Sequence, residues 1–182
     1  MKIGFIGCGN MAKAIIAGLI KTNTFLPEEI IASDNSEKAL SDAKNMYGIN
    51  TTVNNSELVL ESEMILLAVK PQVIASVINE ICDTVSENKI IISIVAGQSI
   101  DRIESLFGRN IKLIRTMPNT PALCGEGMTA VCANGNVTDV ELAYALKILS
   151  SFGKAEVVPE KLMDAVVAVS GSSPAYVAMF IE

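Results

Sequence analysis

Histidine and tryptophan are both missing from the 182 residues, and aromatic side chains make up only 4% of them. Without histidine there can be no Ser-His or Cys-His nucleophilic triad and no histidine-ligated zinc, so any chemistry must come from a cofactor or from other side chains. Lysine and arginine number 14 against 20 acidic residues, a formal net charge of −6, and neither sign forms a long run. Nucleic acid and membrane surfaces are therefore not expected partners. Cys8, Cys82, Cys124 and Cys132 contain no CxxC pair, which predicts reduced, mostly buried thiols and neither a metal site nor a disulfide framework. No uninterrupted apolar run approaches the roughly 18 residues of a membrane span. The opening Met1-Lys2-Ile3 leads straight into an apolar segment with no room for a signal peptide. The expectation is a cytoplasmic protein.

Half of the sequence is hydrophobic, enough for one well-filled core, or for one domain and the beginning of a second. The chain is organised around Ile3 to Ala17, where an apolar run meets Gly7-Cys8-Gly9-Asn10-Met11-Ala12 and then a helical pattern. This G-x-G-x-x-A spacing suits a dinucleotide. Gly7 permits a tight strand-to-helix turn, Gly9 lets the backbone approach a pyrophosphate, and Ala12 allows the helix to pack closely on the strand. The diphosphate would then rest on the helix N-terminus. A purely structural turn could also require these glycines.

The first helix carries Ile15, Ile16, Leu19 and Ile20 on one side. A second strand is expected at Ile30 to Ser33, and a helix from Ser36 as cap to Tyr47, with Ala39, Leu40, Ala43 and Met46 at helical spacing and Gly48 ending it. Thr51 to Val53 reads as a short third strand. The continuous apolar runs Met64 to Val69 and Ile90 to Val95 read as strands buried on both faces of a parallel sheet. Val73, Val77, Ile78 and Ile81 fit a crossover helix between them. Ile100, Ile103 and Leu106 fit another, capped by Ser99, before a strand at Ile111 to Arg115. Met128 to Ala133, Val140 to Leu149 and Ala155 to Val158 add strand, helix and strand. Strand and helix alternate as in a doubly wound, Rossmann-type α/β sheet.

After Pro159 the pattern changes. Met163 to Ser170 is almost wholly apolar, Gly171 interrupts, and Ser173-Pro174 reads as an N-cap followed by proline at the first helical position. The N–H groups of Ser173 and Ala175 would then favour an anion. This apolar helix is still running at Glu182, as expected of a fragment whose partner surface lies elsewhere. The expected division is 1–158, a dinucleotide-binding domain, and 159–182, the first helices of a truncated all-α domain.

Asp34 stands 22 residues after Ala12 at the end of the second strand, near the roughly 20-residue offset at which a carboxylate meets the adenosine ribose of NAD. It also suits a polar residue that caps the next helix. Ser33, Asn35, Ser36 and Lys38 could instead serve a 2′-phosphate, so the sequence leaves NADH and NADPH both open. Lys70, at the carboxyl end of the fourth strand, would lie near the cofactor or simply in solvent. Ala96-Gly97 offers small residues where a cofactor approaches the backbone. Pro118 and Pro121 hold Asn119 and Thr120 rigidly above the same edge, either as a site wall or as a stiff turn.

Four segments, FIGCGNM, AVKPQ, RTMPNTPA and VSGSSPAYV, closely resemble the pyrroline-5-carboxylate reductase family in order and separation, over essentially the whole chain. The resemblance implies NAD(P)H-dependent reduction of 1-pyrroline-5-carboxylate to L-proline. Carried over by position, it assigns the cofactor to Ile6, Gly7, Cys8, Gly9, Asn10 and Met11, to Ser33, Asp34, Asn35 and Ser36, to Ala68, Val69, Lys70 and Pro71, and to Asn55, Val95 and Ala96. Asp34 departs from NADP-preferring members, which often have a small hydroxyl residue there. The resemblance further implies a helical domain that dimerises, making a homodimer or higher homo-oligomer, and supplies most substrate contacts. In this chain Asn119, Thr120, Gly171, Ser173 and Pro174 would form only the near wall of the substrate pocket. No catalytic residue is assigned. A protonated cyclic imine is already electrophilic, so positioning is the main requirement. Two other readings share the dinucleotide fold: a 3-hydroxyacid-type dehydrogenase, for which Lys161 is the only lysine beyond Lys154 and precedes its helix, and a non-catalytic regulatory module.

Overall fold

The computed structural model describes residues 2–182; Met1 lies outside them. Strand and helix alternate as β1 (Ile3–Ile6), α1 (Asn10–Lys21), β2 (Ile30–Ser33), α2 (Glu37–Tyr47), β3 (Asn50–Thr52), α3 (Asn55–Glu61), β4 (Met64–Leu67), α4 (Ile74–Ile81), β5 (Ile90–Ser93), α5 (Ile100–Phe107) and β6 (Lys112–Met117). Then follow β7 (Gly127–Ala133), α6 (Asp139–Leu149), β8 (Gly153–Val157), α7 (Met163–Val166) and α8 (Ser173–Ile181). Four helix starts, those of α2, α3, α5 and α6, carry side-chain caps. Ser36, Asn54, Ser99 and Thr138 each accept a backbone N–H from three residues ahead, satisfying donors that a helix leaves orphaned.

All eight strands form one sheet in the order β3-β2-β1-β4-β5-β6-β7-β8. The first six run parallel; β7 runs antiparallel to β6, and β8 follows the direction of β7. The reversal is made by a loop held at Asn119, whose Oδ1 accepts the Met128 N–H at 2.8 Å. An antiparallel neighbour needs no crossover helix, so a loop suffices. Alternate residues of β1, β4 and β5 enter opposite layers. Ile3, Phe5, Met64, Leu66, Ile90 and Ile92 pack with Ile15, Ile16 and Leu19 of α1. Ile65, Leu67 and Ile91 pack with Ile74, Ile78 and Ile81 of α4 and Ile103 of α5. Burial on both faces is why these strands read as unbroken apolar runs.

β1 lies between β2 and β4, where the strand order turns back on itself, and the chain leaves it through Gly7. There φ is +99°, and a Cβ would sit 2.5 Å from the Ala68 carbonyl oxygen. Both the backbone conformation and the missing space demand glycine. The Gly7 N–H donates to Ser33 O at 2.8 Å, and the Ala68 N–H donates to Ile6 O at 2.8 Å. Hydrogen bonds thus tie the turn to the ends of both neighbouring strands.

Several boundaries and faces differ from expectation. Pairing in β4 and β5 ends at Leu67 and Ser93, freeing the residues beyond to line a crevice. β3 begins at Asn50, and Val53 is exposed. Asn55 is the first residue of α3, with Asn54 as its cap. Pro71–Val73 forms a 3-10 turn before α4, with Pro71 at its first position, where the missing N–H leaves no bond unmade. Met46 faces solvent, while Leu40 and Ala43 are buried. Of the four free thiols, only Cys8 and Cys132 are buried; Cys82 is half-buried and Cys124 exposed.

The tail also departs from expectation. Gly171 does not break the helix: a π-helical turn over Val167–Gly171 joins α7 to α8. Ser172 keeps helical dihedrals and its Oγ donates to Val167 O at 3.1 Å. Ser173 is therefore the first residue of α8 and not its cap, with Pro174 in the first turn. The Ala175 N–H donates to Ser172 O at 3.1 Å, so the pair of free N–H groups expected for an anion is not formed. Residues 160–181 become one helical stretch of 22 residues containing an 18-residue window of mean hydropathy 1.3, long and apolar enough to cross a membrane by length and composition. Ser170 to Pro174 split its apolar residues, so a count of uninterrupted apolar residues misses it. Its start is tied to the sheet. Met163 is buried in the second core layer, and Arg115 of β6 pairs with Glu160 at 3.0 Å and Asp164 at 3.4 Å. Glu160 Oε1 also accepts the Ile100 N–H at 2.7 Å, capping α5.

Gly7→Ala is expected to cost about 1–3 kcal/mol from backbone strain alone, read as a lower urea midpoint; an unchanged midpoint would show that the turn can shift without cost. A second expectation concerns Cys132. Burial, reinforced by Glu160 and opposed by Arg115, pushes its thiol up to about 11 from an ordinary 9.0. The unfolded thiol ionises first, so between these two values the unfolded chain holds fewer protons and stability falls as pH rises. Cys132→Ala should flatten the decline of stability over that window; equal slopes for the two proteins would exclude the thiol as its source.

Candidate nucleotide-binding cleft

Two cavities lie at the carboxyl ends of the parallel strands and share Gly9, Ala68, Val69 and Lys70. The first, about 370 Å³, is walled by Ile6, Gly7 and Gly9 from the glycine turn, Ser33, Asp34 and Asn35 from the end of β2, Asn55 of α3, and the Ala68–Lys70 segment. Val73, Ser76, Val77 and Glu80 close its far side. The second, about 330 Å³, is walled by Gly9, Asn10, Met11 and Ala12, by Ala68 to Pro71, and by Ile94, Ala96, Met117 and Pro118. Together they make a cleft across the point where strand order reverses, the place at which open α/β sheets take ligands.

The glycine turn is shaped for close backbone approach. A Cβ added at Gly9 would meet nothing within 4 Å, and no side chain caps α1. The N-terminal amides of a 12-residue helix are thus available to an anionic group, favoured there by the helix dipole. Asp34 closes the turn from the other side. Its Oδ2 accepts the Cys8 N–H at 2.8 Å and its Oδ1 accepts the Ser36 N–H at 2.9 Å. The carboxylate therefore holds the entry to α2, as a strand-end residue would, while it also lines the first cavity. Each oxygen retains capacity for a further donor.

A polar chain extends from β2 to α4. The buried Ser33 donates through Oγ to Asn55 Oδ1 at 2.6 Å, and Asn55 Nδ2 donates to Glu80 Oε2 at 2.8 Å. Ser56 Oγ donates to the Glu80 carbonyl at 3.2 Å, fixing α4 against α3 once more. Lys70 is the only cationic residue among the described residues that line the first cavity, which Asp34 and Glu80 also line.

Three of the residues assigned from sequence stand outside the two cavities. Cys8 is buried beneath the turn, its N–H held by Asp34 and its Sγ directed to Ala39 O at 3.9 Å. Burial, helped by Asp34 and opposed by Lys13, pushes its thiol up, which keeps it protonated and unreactive. Ser36 caps α2 through Oγ. Val95 turns into the second core layer. Side chains alternate beyond β5 as they do within it, so Ile94 and Ala96 face the cleft and Val95 faces away. Val73 and Val77, expected on the crossover helix, line the first cavity with Ser76 and Glu80, Val77 also packing against the second core layer. Their i, i+3, i+4, i+7 spacing directly after AVKP marked one helix face, but not which way that face turned.

A third, shallower depression of about 540 Å³ lies between the Asn119 loop and the tail. Asn119, Ser173 and Pro174 line it, joined by Pro121, Val169, Ser170 and Val177. Asn119 Nδ2 donates to Ser170 Oγ at 3.2 Å, so this residue bridges sheet and tail. Thr120 and Gly171 are outside its lining. Gly171 instead packs against Met117, whose Cε would lie 2.9 Å from an added Cβ. Among the described residues no group of three potential metal ligands is found.

The family model for "NADP oxidoreductase coenzyme F420-dependent" matches residues 2–97, the half of the chain that builds the first cavity. The pyrroline-5-carboxylate reductase of Escherichia coli K12 is 44% identical over 181 residues, covering 100% of this chain and 67% of the relative. That of Methanosarcina acetivorans is 40% identical over 181 residues with the same coverage. The solved pyrroline carboxylate reductase of Plasmodium falciparum, with NADP bound, superposes with a TM-score of 0.91 at 36% identity, covering 100% of this chain and 66% of that one. The prephenate dehydrogenase of Aquifex aeolicus, at 15% identity and a TM-score of 0.78, shares the fold alone. The chain spans about two thirds of the length of these reductases. Since relatives well above 30% identity match it from end to end, the motifs and the matching fold have one origin, and the chain belongs to the pyrroline-5-carboxylate reductase family.

Proposed function

We propose that the chain takes part in the NAD(P)H-dependent reduction of 1-pyrroline-5-carboxylate to L-proline, in the cytoplasm, with residues 1–158 as the cofactor unit and 159–182 as the first helices of the domain that completes the substrate pocket. The observation that carries this reading is the continuous cleft over β1, β4 and β5, with a side-chain-free turn at Gly7 and Gly9 and an uncapped helix start beside it.

The residues fit a dinucleotide. Gly9 and the first turn of α1 receive the diphosphate, and Asp34 and Asn55 face the adenosine half. Val73 and Val77 offer an apolar wall for the base, while Met11, Ile94, Ala96, Met117 and Pro118 line the nicotinamide half. When bound, the reduced nicotinamide supplies the hydride that the imine carbon accepts. Excluding water and aligning the ring are the tasks left to the protein, and the apolar Ile94, Met117 and Pro118 suit both. Asn119 anchors the tail beside this half through Ser170. In this reading, Asn119, Ser170, Ser173 and Pro174 form the near wall of the substrate pocket. The exposed Tyr176, Val177, Met179, Phe180 and Ile181 offer an apolar surface for a partner to cover, as in a homodimer or higher homo-oligomer.

Nicotinamide oxidation should be followed with pyrroline-5-carboxylate and with a panel of 3-hydroxyacids. Turnover of the imine alone is expected from the complete reading frame, whereas turnover of a hydroxyacid, or cofactor binding without imine reduction, would sink the assignment. The Asp34 carboxylate is expected to favour the ribose hydroxyls of NADH over the phosphate of NADPH. Asp34→Ser should therefore raise NADPH affinity relative to NADH; an unaltered ratio would remove Asp34 from cofactor choice.

A further inference from the structure

Glu80 lies on α4, one turn beyond the apolar wall of Val73 and Val77, and lines the first cavity. We infer that Glu80 is a specificity-determining residue of the cofactor site, selecting NADH over NADPH by fixing the hydrogen-bonding sense of Asn55. The inference rests on the reading of this cavity as the adenosine site and adds to it a residue outside the four family motifs.

The argument begins with what a carboxylate can do. It only accepts hydrogen bonds, so the Asn55 group 2.8 Å from Glu80 Oε2 must be the amide NH2. Asn55 Oδ1 is then forced toward Ser33 and takes the Ser33 hydroxyl proton at 2.6 Å. With that proton committed, Ser33 Oγ keeps only lone pairs for any other group. Glu80 Oε1 and the Asp34 oxygens are acceptors as well. One carboxylate on α4 thereby sets the polarity of a chain that reaches β2, and this edge becomes rich in acceptors.

A ribose 2′-hydroxyl has a proton to give to such an edge. A 2′-phosphate brings only acceptor oxygens and a charge of about −2 at neutral pH, and meets two carboxylates at close range. Lys70 is the only cationic lining residue described there. It extends from the end of β4 at the junction of the two cavities and also lines the second, so its charge serves the diphosphate as readily as any 2′ group. The anchoring of Glu80 makes the arrangement rigid. Its backbone carbonyl is held by Ser56 Oγ at 3.2 Å, and the next residue, Ile81, is fully buried in the core.

Dissociation constants for NADH and NADPH, measured by nicotinamide fluorescence on the unmutated chain and on Glu80→Gln and Glu80→Ala, test this. The unmutated chain is expected to bind NADH more tightly. Glu80→Gln removes the charge and lets either end of the Asn55 amide face α4, so the NADPH-to-NADH ratio of dissociation constants should fall at least threefold, and Glu80→Ala should act in the same direction. A merely structural role would weaken both nucleotides together and leave the ratio alone. Thermal melting identifies the variants that fold, and either variant suffices. An unchanged ratio in a folded variant, or tighter NADPH binding by the unmutated chain, overturns the role of Glu80 while leaving the cofactor site intact. Failure of the unmutated chain to bind either nucleotide overturns the site itself, and the inference with it.

Discussion

The structure depends on the absence of one side chain. Gly7 ends the central strand where β1 is flanked by β2 and β4, with its missing Cβ 2.5 Å from a backbone oxygen of the β4 extension. A larger residue would push β1 and β4 apart at the level where the cleft opens. Because the turn is this tight, its amide can donate to Ser33 O and the next amide can donate to Asp34. Three chain segments far apart in sequence converge within a few ångströms, and α1 begins with its N–H groups directed at their junction. In the proposed site, an anion at that junction would be favoured by geometry and by the helix dipole.

Around this junction the two core layers have different tasks. The layer under α1 and α2 is continuous with α6, Phe152 and Ala155 of β8, and it holds the turn from beneath through Cys8 and Ala12. The layer under α3, α4 and α5 extends to Met163 and so carries the start of the tail. Arg115 adds a polar tie between the sheet and the tail, buried in β6 yet paired with two acidic residues, Glu160 and Asp164. A buried guanidinium with its partners removed would be costly, so this contact fixes where the helical segment leaves the sheet. The π-helical turn then presents Ser170 to Asn119, in keeping with the tendency of such turns to lie at functional positions.

A chain without histidine suits a reaction whose electrophile arrives already activated. In the proposed reaction the cleft would supply shape and orientation, while the titratable groups nearest to it serve structure. Cys8 is buried and protonated, Asp34 braces backbone amides, and Glu80 orients an amide. The division of labour is that expected of cofactor enzymes, in which the protein binds and orients while the cofactor carries the reacting atoms.

Much of this was legible in the sequence, for identifiable reasons. Double-sided burial wrote the parallel strands as unbroken apolar runs, cap residues marked the starts of α2 and α5, and the glycine spacing marked the turn, since each depends on local chemistry alone. The four motifs carried the family for the same reason. Tertiary structure alone decided what depends on direction. It set the reversal of β7, the rotation of α4 that turns Val73, Val77 and Glu80 toward the cleft, and the phase that faces Ile94 inward while Val95 joins the core. It also decided that Gly171 would be carried through a π turn, with the Ser172 hydroxyl donating to the Val167 carbonyl. Periodicity shows that a helix or strand has two faces, but which one meets a ligand is fixed only when the neighbouring elements have packed against the other.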